Sequence, residues 1–161
     1  MWLCNSSIGR KVVMSVTGVA LILFLTFHMS MNIAALFSGD AYNMICEFLG
    51  ANWYALVATL GLAALAVIHI LYAFWLTMQN RKARGTERYA VTTRPAGVEW
   101  SSQNMLVLGI IIILGLLLHL FNFWYNMMFA ELTGIAVAHD PADGYAYIVD
   151  TFSCPVYVVL Y

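Results

Sequence analysis

From Trp53 to Met78 the chain reads WYALVATLGLAALAVIHILYAFWLTM, without one charged side chain. About 20 apolar residues in a helix cover the hydrocarbon core of a bilayer. In lipid, backbone polar groups must be paired within the element, so such a run is a helix. Two further runs match it: Val12 to about Phe37, and Met105 through MLVLGIIIILGLLLHLF and NFWYNMM to about residue 128. Only 9% of the 161 residues are charged, and mean hydropathy is +0.82. A soluble domain carries roughly 25% charged residues. The chain is therefore read as an all-α, polytopic transmembrane helix bundle forming one domain over residues 1–161.

The basic start at Arg10 and Lys11 resembles a signal peptide, but the apolar run behind it is far longer than a cleavable core of ~7–15 residues. A fourth helix is expected to begin in SCPVYVVLY, with Pro155 in its first turn, where the missing N–H costs nothing. Too few apolar residues follow it to cross a bilayer, so the native polypeptide is expected to continue past Tyr161. The loop DAYNMICEFLG resumes apolar spacing at Tyr42, Ile45 and Leu49 and is expected to be a short interfacial helix. Cys4, Cys46 and Cys154 are widely separated, fit no CxxC pattern and read as small apolar fillers.

Charge sets the orientation. All seven basic residues precede the first span or lie between the second and third: Arg10, Lys11, Arg81, Lys82, Arg84, Arg88 and Arg94. Short basic loops stay in the cytoplasm. The N-terminus is thus expected on the cytoplasmic face and the segment after the third span outside.

Each span carries one histidine: His28, His69 and His119. His139 lies in the acidic outer segment AHDPADG and reads as a surface side chain. Polar residues at membrane depth face a bundle interior or cavity and mark function. At ~1.5 Å per residue, His28 lies roughly 26 Å beyond Lys11 and His119 roughly 27 Å beyond Ser101. His69 lies roughly 18 Å from Arg81 by the same measure. His28 and His119 thus share an outer level, and His69 lies nearer the cytoplasm. Two imidazoles at one level can clamp one metal from opposite sides. Zinc normally recruits four ligands, and no Cys, Asp or Glu shares that level. Haem supplies four nitrogens and needs two axial donors, commonly histidine. Gly18, Gly61, Ala64 and Gly115 suit either close helix packing or room for a macrocycle. His69 has no partner at its level, and the helix after Pro155 is the natural source of one.

With these residues in view, the chain resembles the cytochrome b subunit of succinate dehydrogenase and fumarate reductase, in its single-polypeptide, two-haem form. The resemblance lies in NSSIGRKVVMSVTG, LFLTFHMSMN, AVIHILYAFWLTMQNRKARGTERYA, SSQNMLVLG with GLLLHLFNFW, and YIVDTFSCPVYVVLY. It covers nearly the whole chain. It implies His28 and His119 as ligands of a distal haem b, and His69 as one ligand of a proximal haem whose partner lies on the fourth helix. Arg10, Lys11 and Ser15 then become candidates for haem propionates. Arg81 and Arg84 become candidates for the same role or for contacts with soluble subunits. The resemblance further implies an iron–sulfur subunit and an FAD-containing flavoprotein as partners, menaquinone or another quinone as substrate, and a bacterial cytoplasmic membrane. Glu47 is the best placed acid for a quinone site near the distal haem. The chain has no glycine-rich dinucleotide motif, so it cannot itself perform the flavin chemistry. Lipid is the expected surrounding, and no nucleic-acid partner is expected. Two alternatives remain: a di-haem cytochrome serving another oxidoreductase, and a haem-free structural anchor.

Overall fold

The computed structural model describes residues 6–85 and 97–161. Cys4, Arg88 and Arg94 lie outside the described residues. Helix α1 (Ser7–Asn32) opens where the Ser6 side chain accepts a hydrogen bond from the Gly9 N–H at 2.9 Å. That satisfies one of the orphan donors of the first turn. A 3₁₀ turn (Ile33–Leu36) continues α1, and α2 (Gly39–Leu49) follows, capped by Ser38. The second span is α3 (Trp53–Arg84). It ends with Arg81, Lys82 and Arg84 in its last turn, favourable against the helix dipole, and with Gly85 at φ 72°. After α4 (Trp100–Gln103) comes the third span, α5 (Met105–His119), which passes into a π-helix (Leu120–Phe129) and then α6 (Ala130–Thr133). Gly134, at φ 69°, stops it and returns its N–H to Ala130 O at 2.8 Å. Helices α7 (Gly144–Ser153) and α8 (Pro155–Leu160) complete the described chain.

Three continuous helical segments are long and apolar enough to cross a membrane: Ser7–Leu36, Trp53–Arg84 and Met105–Thr133, of 30, 32 and 29 residues. At 1.5 Å per residue each measures roughly 45 Å, against a hydrocarbon core of about 30 Å. Their ends therefore extend into the headgroup layers. Their leucines, isoleucines and valines point outward, as a lipid-facing surface requires. The second span runs one and a half turns past its last apolar residues because its basic end suits a helix C-terminus.

Spans one and two pack antiparallel against each other, with Arg10 beside Gln79 and Thr17 beside His69. The third span stands off from this pair along most of its length and is tied instead to the outer helices. There α2 and α7 form a cap. Asn43 Nδ2 donates to Asp143 Oδ1 at 2.7 Å, and Asn43 Oδ1 accepts from the Tyr145 N–H at 2.9 Å. Gly144 is buried where any Cβ would collide with Cys46 Sγ. Burial holds the Cys46 thiol and the neighbouring Tyr42 phenol protonated, pushing both above their ordinary values. Cys46 and Cys154 are both free thiols.

The amphipathic α2 and the start of a helix at Pro155 match expectation. Helix α7 and the π-helix do not follow from the apolar runs. In the π-helix, Asn126 Nδ2 bonds the carbonyls of Phe121 and Asn122, both at 3.0 Å. Aromatic rings four residues apart stack there: Phe121 on Tyr125, and Tyr125 on Phe129. These side-chain contacts favour the wider i→i+5 turn.

Asp143 gives the cap an acid sensitivity. Hydrogen bonds from the Ala146 N–H and from Asn43 hold its carboxyl below the ordinary value. A group depressed in the folded state contributes stability fully present above its unfolded value, and that stability is lost as pH falls through the folded one. Asp143→Ala is expected to loosen α7 by about 1 kcal/mol, as for other lost N-caps. Protection factors of the α7 amides, corrected for the intrinsic exchange rate at each pH, should then no longer fall on acidification; an acid response unchanged by the substitution would assign it to another group.

Candidate functional site

The stripe Arg10, Thr17, Phe24 and His28 recurs on α1 at intervals close to whole helical turns. Thr17 and Arg10 meet the second span, and His28 meets the third. The His28 and His119 rings lie edge to face, centroids 5.6 Å apart with an interplanar angle of 87°. Phe24 stacks on His28 at 5.4 Å, and Phe123 packs on His119 at 5.2 Å. The two imidazoles expected at one outer level are thus neighbours.

Neither ring takes a hydrogen bond from another described residue, although a neutral imidazole at membrane depth needs partners. The arrangement can be tested against haem. Two metal–nitrogen bonds of about 2.0–2.1 Å each place axial imidazole centroids roughly 6 Å apart. The observed separation is slightly shorter, and the rings stand perpendicular, so ligation of one metal by both would need one ring to turn its nitrogen toward the other. The two imidazoles come from the first and third spans, which touch little elsewhere along their length. The donor set fits. No group of three or more His, Cys, Asp or Glu gathers among the described residues, as a four-ligand zinc site would require.

His69 lies about three turns below His28, opposite Thr17 on α1. Its Nδ1 is 2.8 Å from Thr17 Oγ1, which also lies 2.8 Å from the Val13 carbonyl. Thr17 escaped the sequence reading. The signal was present in its spacing from His28, which places both on one face of α1.

At the basic end, Arg10 Nη1 donates to Gln79 Oε1 at 2.6 Å, and its guanidinium lies 5.1 Å over the Trp75 ring. Lys11, Ser15, Arg81 and Arg84 are exposed on the same half of the bundle. Ser15 meets no histidine; the hydroxyl that does is Thr17. Above His28, Asn32 Nδ2 donates to the His28 carbonyl at 2.8 Å, and Tyr42 OH donates to Asn32 Oδ1 at 2.9 Å. This couples the end of α1 to the outer cap.

Two concavities lie toward the outer cap, and neither is lined by His28 or His119. An apolar groove of about 400 Å³ lies between the outer end of α1 and α2, lined by Phe27, Met31, Met44, Ile45, Phe48 and Leu49. Glu47 is exposed and does not line it. A polar hollow of about 200 Å³ beside the π-helix is lined by Asn122, Asn126, Tyr147, Asp150, Thr151 and Tyr157. His139 is half-buried, with Nε2 3.0 Å from Asp150 Oδ2. Tyr161 lies 6.5 Å from His119 by ring centroids and accepts a hydrogen bond from Asn122, so α8 runs beside the third span. The fold and this geometry describe a polytopic, all-α membrane-spanning protein; compared with protein-family models, curated proteins and solved structures, the chain gives no match.

Proposed function

We propose that this chain is the membrane anchor and haem b electron-transfer subunit of a succinate:quinone oxidoreductase or quinol:fumarate reductase, passing electrons between an iron–sulfur subunit and the quinone pool. The opposition of His28 and His119 between two separate spans carries the reading. The similarity of the sequence motifs to that family supplies the class of complex.

Haem, when bound, supplies a one-electron carrier whose potential depends on its axial ligands and surroundings. The chain's own residues hold and insulate it. His28 and His119 would clamp the distal haem, while Phe24 and Phe123 pack on the two imidazoles and restrict their rotation. His69 would serve the proximal haem nearer the basic end. The apolar spans exclude water around both. Arg10, Lys11 and Ser15 remain the candidates for propionates at that end, Arg10 already steadied by Gln79 and Trp75.

The basic end belongs in the cytoplasm by the positive-inside rule, and the family resemblance supplies a bacterial inner membrane. There Arg81, Lys82 and Arg84 are placed to meet the iron–sulfur subunit, with the FAD-containing flavoprotein beyond it. The apolar groove beside Phe27 suits a quinone, with Glu47 on the same helix α2 as a nearby acid.

A haem-free anchor is the second reading, because an edge-to-face ring pair by itself can join two helices. The reduced-minus-oxidised absorption spectrum of the purified protein separates them. A b-type band is expected, together with co-purified flavin and iron–sulfur proteins. A featureless spectrum from haem-replete cells would overturn the proposal in favour of the anchor. A b-type band with a different soluble partner would point to the cytochrome of another complex.

A further inference from the structure

One hydroxyl proton settles the state of His69. Thr17 is 6% exposed. Its Oγ1 lies 2.8 Å from Val13 O, 3.3 Å from Met14 O and 2.8 Å from His69 Nδ1. A hydroxyl has one proton to give and two lone pairs to receive. If Thr17 donated to Nδ1, its oxygen would face the Val13 carbonyl oxygen at 2.8 Å with no proton between them. If Nδ1 carries the proton, every group is satisfied in one chain. Nδ1–H donates to Oγ1, and Oγ1–H donates to the Val13 carbonyl. Such chains polarise in a cooperative sense, and a buried polar group left unpaired is the costly alternative.

Only one nitrogen of a neutral imidazole is protonated, so Nε2 then bears the free lone pair. No described residue donates to it. Gly18, the next residue on α1, packs beside the Cε1 edge between the two nitrogens; a Cβ there would sit 3.5 Å from Cε1, in ordinary van der Waals contact.

We propose that Thr17 is a positioning residue for His69: it fixes the Nδ1–H tautomer across the α1–α3 contact and so presents Nε2 as the metal-ligating nitrogen. The ligation half of this statement rests on the haem reading above; the tautomer half does not. Partners behind a metal-binding histidine commonly change metal affinity by about 10–100-fold.

The test uses the complete polypeptide purified from membranes, as Thr17→Val and Thr17→Ser. Valine keeps the shape and removes the acceptor; serine restores it. Thr17→Val is expected to weaken retention of one haem by about 10–100-fold and to shift the midpoint potential of that haem alone. Thr17→Ser is expected to restore both. Unchanged haem signatures and potentials in Thr17→Val would overturn the proposal, as would a serine variant no better than valine. If the unaltered protein carries no haem, the proposed function fails by itself. Histidine-selective ¹⁵N spectra then decide the tautomer: an Nδ1–H signal for His69 supports the role of Thr17, and an Nε2–H signal overturns it.

Discussion

His28→Ala and His119→Ala proteins are each expected to insert normally and to lose the same low-spin haem signal, about half of the haem of the unaltered protein if two are bound. The shared loss follows from the proposed ligation: the two rings are neighbours at 5.6 Å, so either one would supply half of a single axial pair. Insertion should survive. Neither side chain takes part in a helix cap, and the spans remain apolar without them. His69→Ala is expected to remove a different signal, because His69 lies about three turns away along α1. The checks are the haem-to-protein ratio by absorbance and the low-spin resonance spectrum. Full haem content with both signals intact in His28→Ala and His119→Ala would leave the pair as an interhelical contact only.

The second large effect concerns sidedness and is all-or-none. In a protein whose own cysteines are replaced, a single thiol at Lys82→Cys should resist an impermeant maleimide applied outside intact cells. A thiol at Glu47→Cys should react fully. The structure places these positions at opposite ends of the bundle: Lys82 in the last turn of α3, and Glu47 in the capping helix α2. The positive-inside rule assigns the basic end to the cytoplasm. Reaction at Lys82→Cys from outside would invert the topology.

Two particular mismatches show where reading the chain reached its limit. Ser15 stands out as a polar residue near the basic pair, yet Thr17 is the one that meets a histidine. Both hydroxyls occupy the same turn of α1 on different faces, and the packing of α3 against the Thr17 face decides which one meets a histidine. The run LFNFWYNMMF reads as a plain continuation of the third span. Its π geometry depends on where Asn126 and the aromatic rings find partners, which no apolar periodicity encodes.

The sequence alone determined that this is a polytopic helical membrane protein, because unbroken apolar runs leave no other way to pair the backbone in lipid. It likewise determined the separation of charge between the two ends and the depth of each histidine, since both follow from a fixed rise per residue. The tertiary structure decided which side chains touch. It brought His28 to His119 and gave His69 to Thr17. It also joined α2 to α7 through Asn43, Asp143 and the close approach at Gly144. Depth is a one-dimensional property that counting residues recovers. Contact depends on helix rotation and on which spans pair, and those are set by the sum of many small packing terms spread across the bundle.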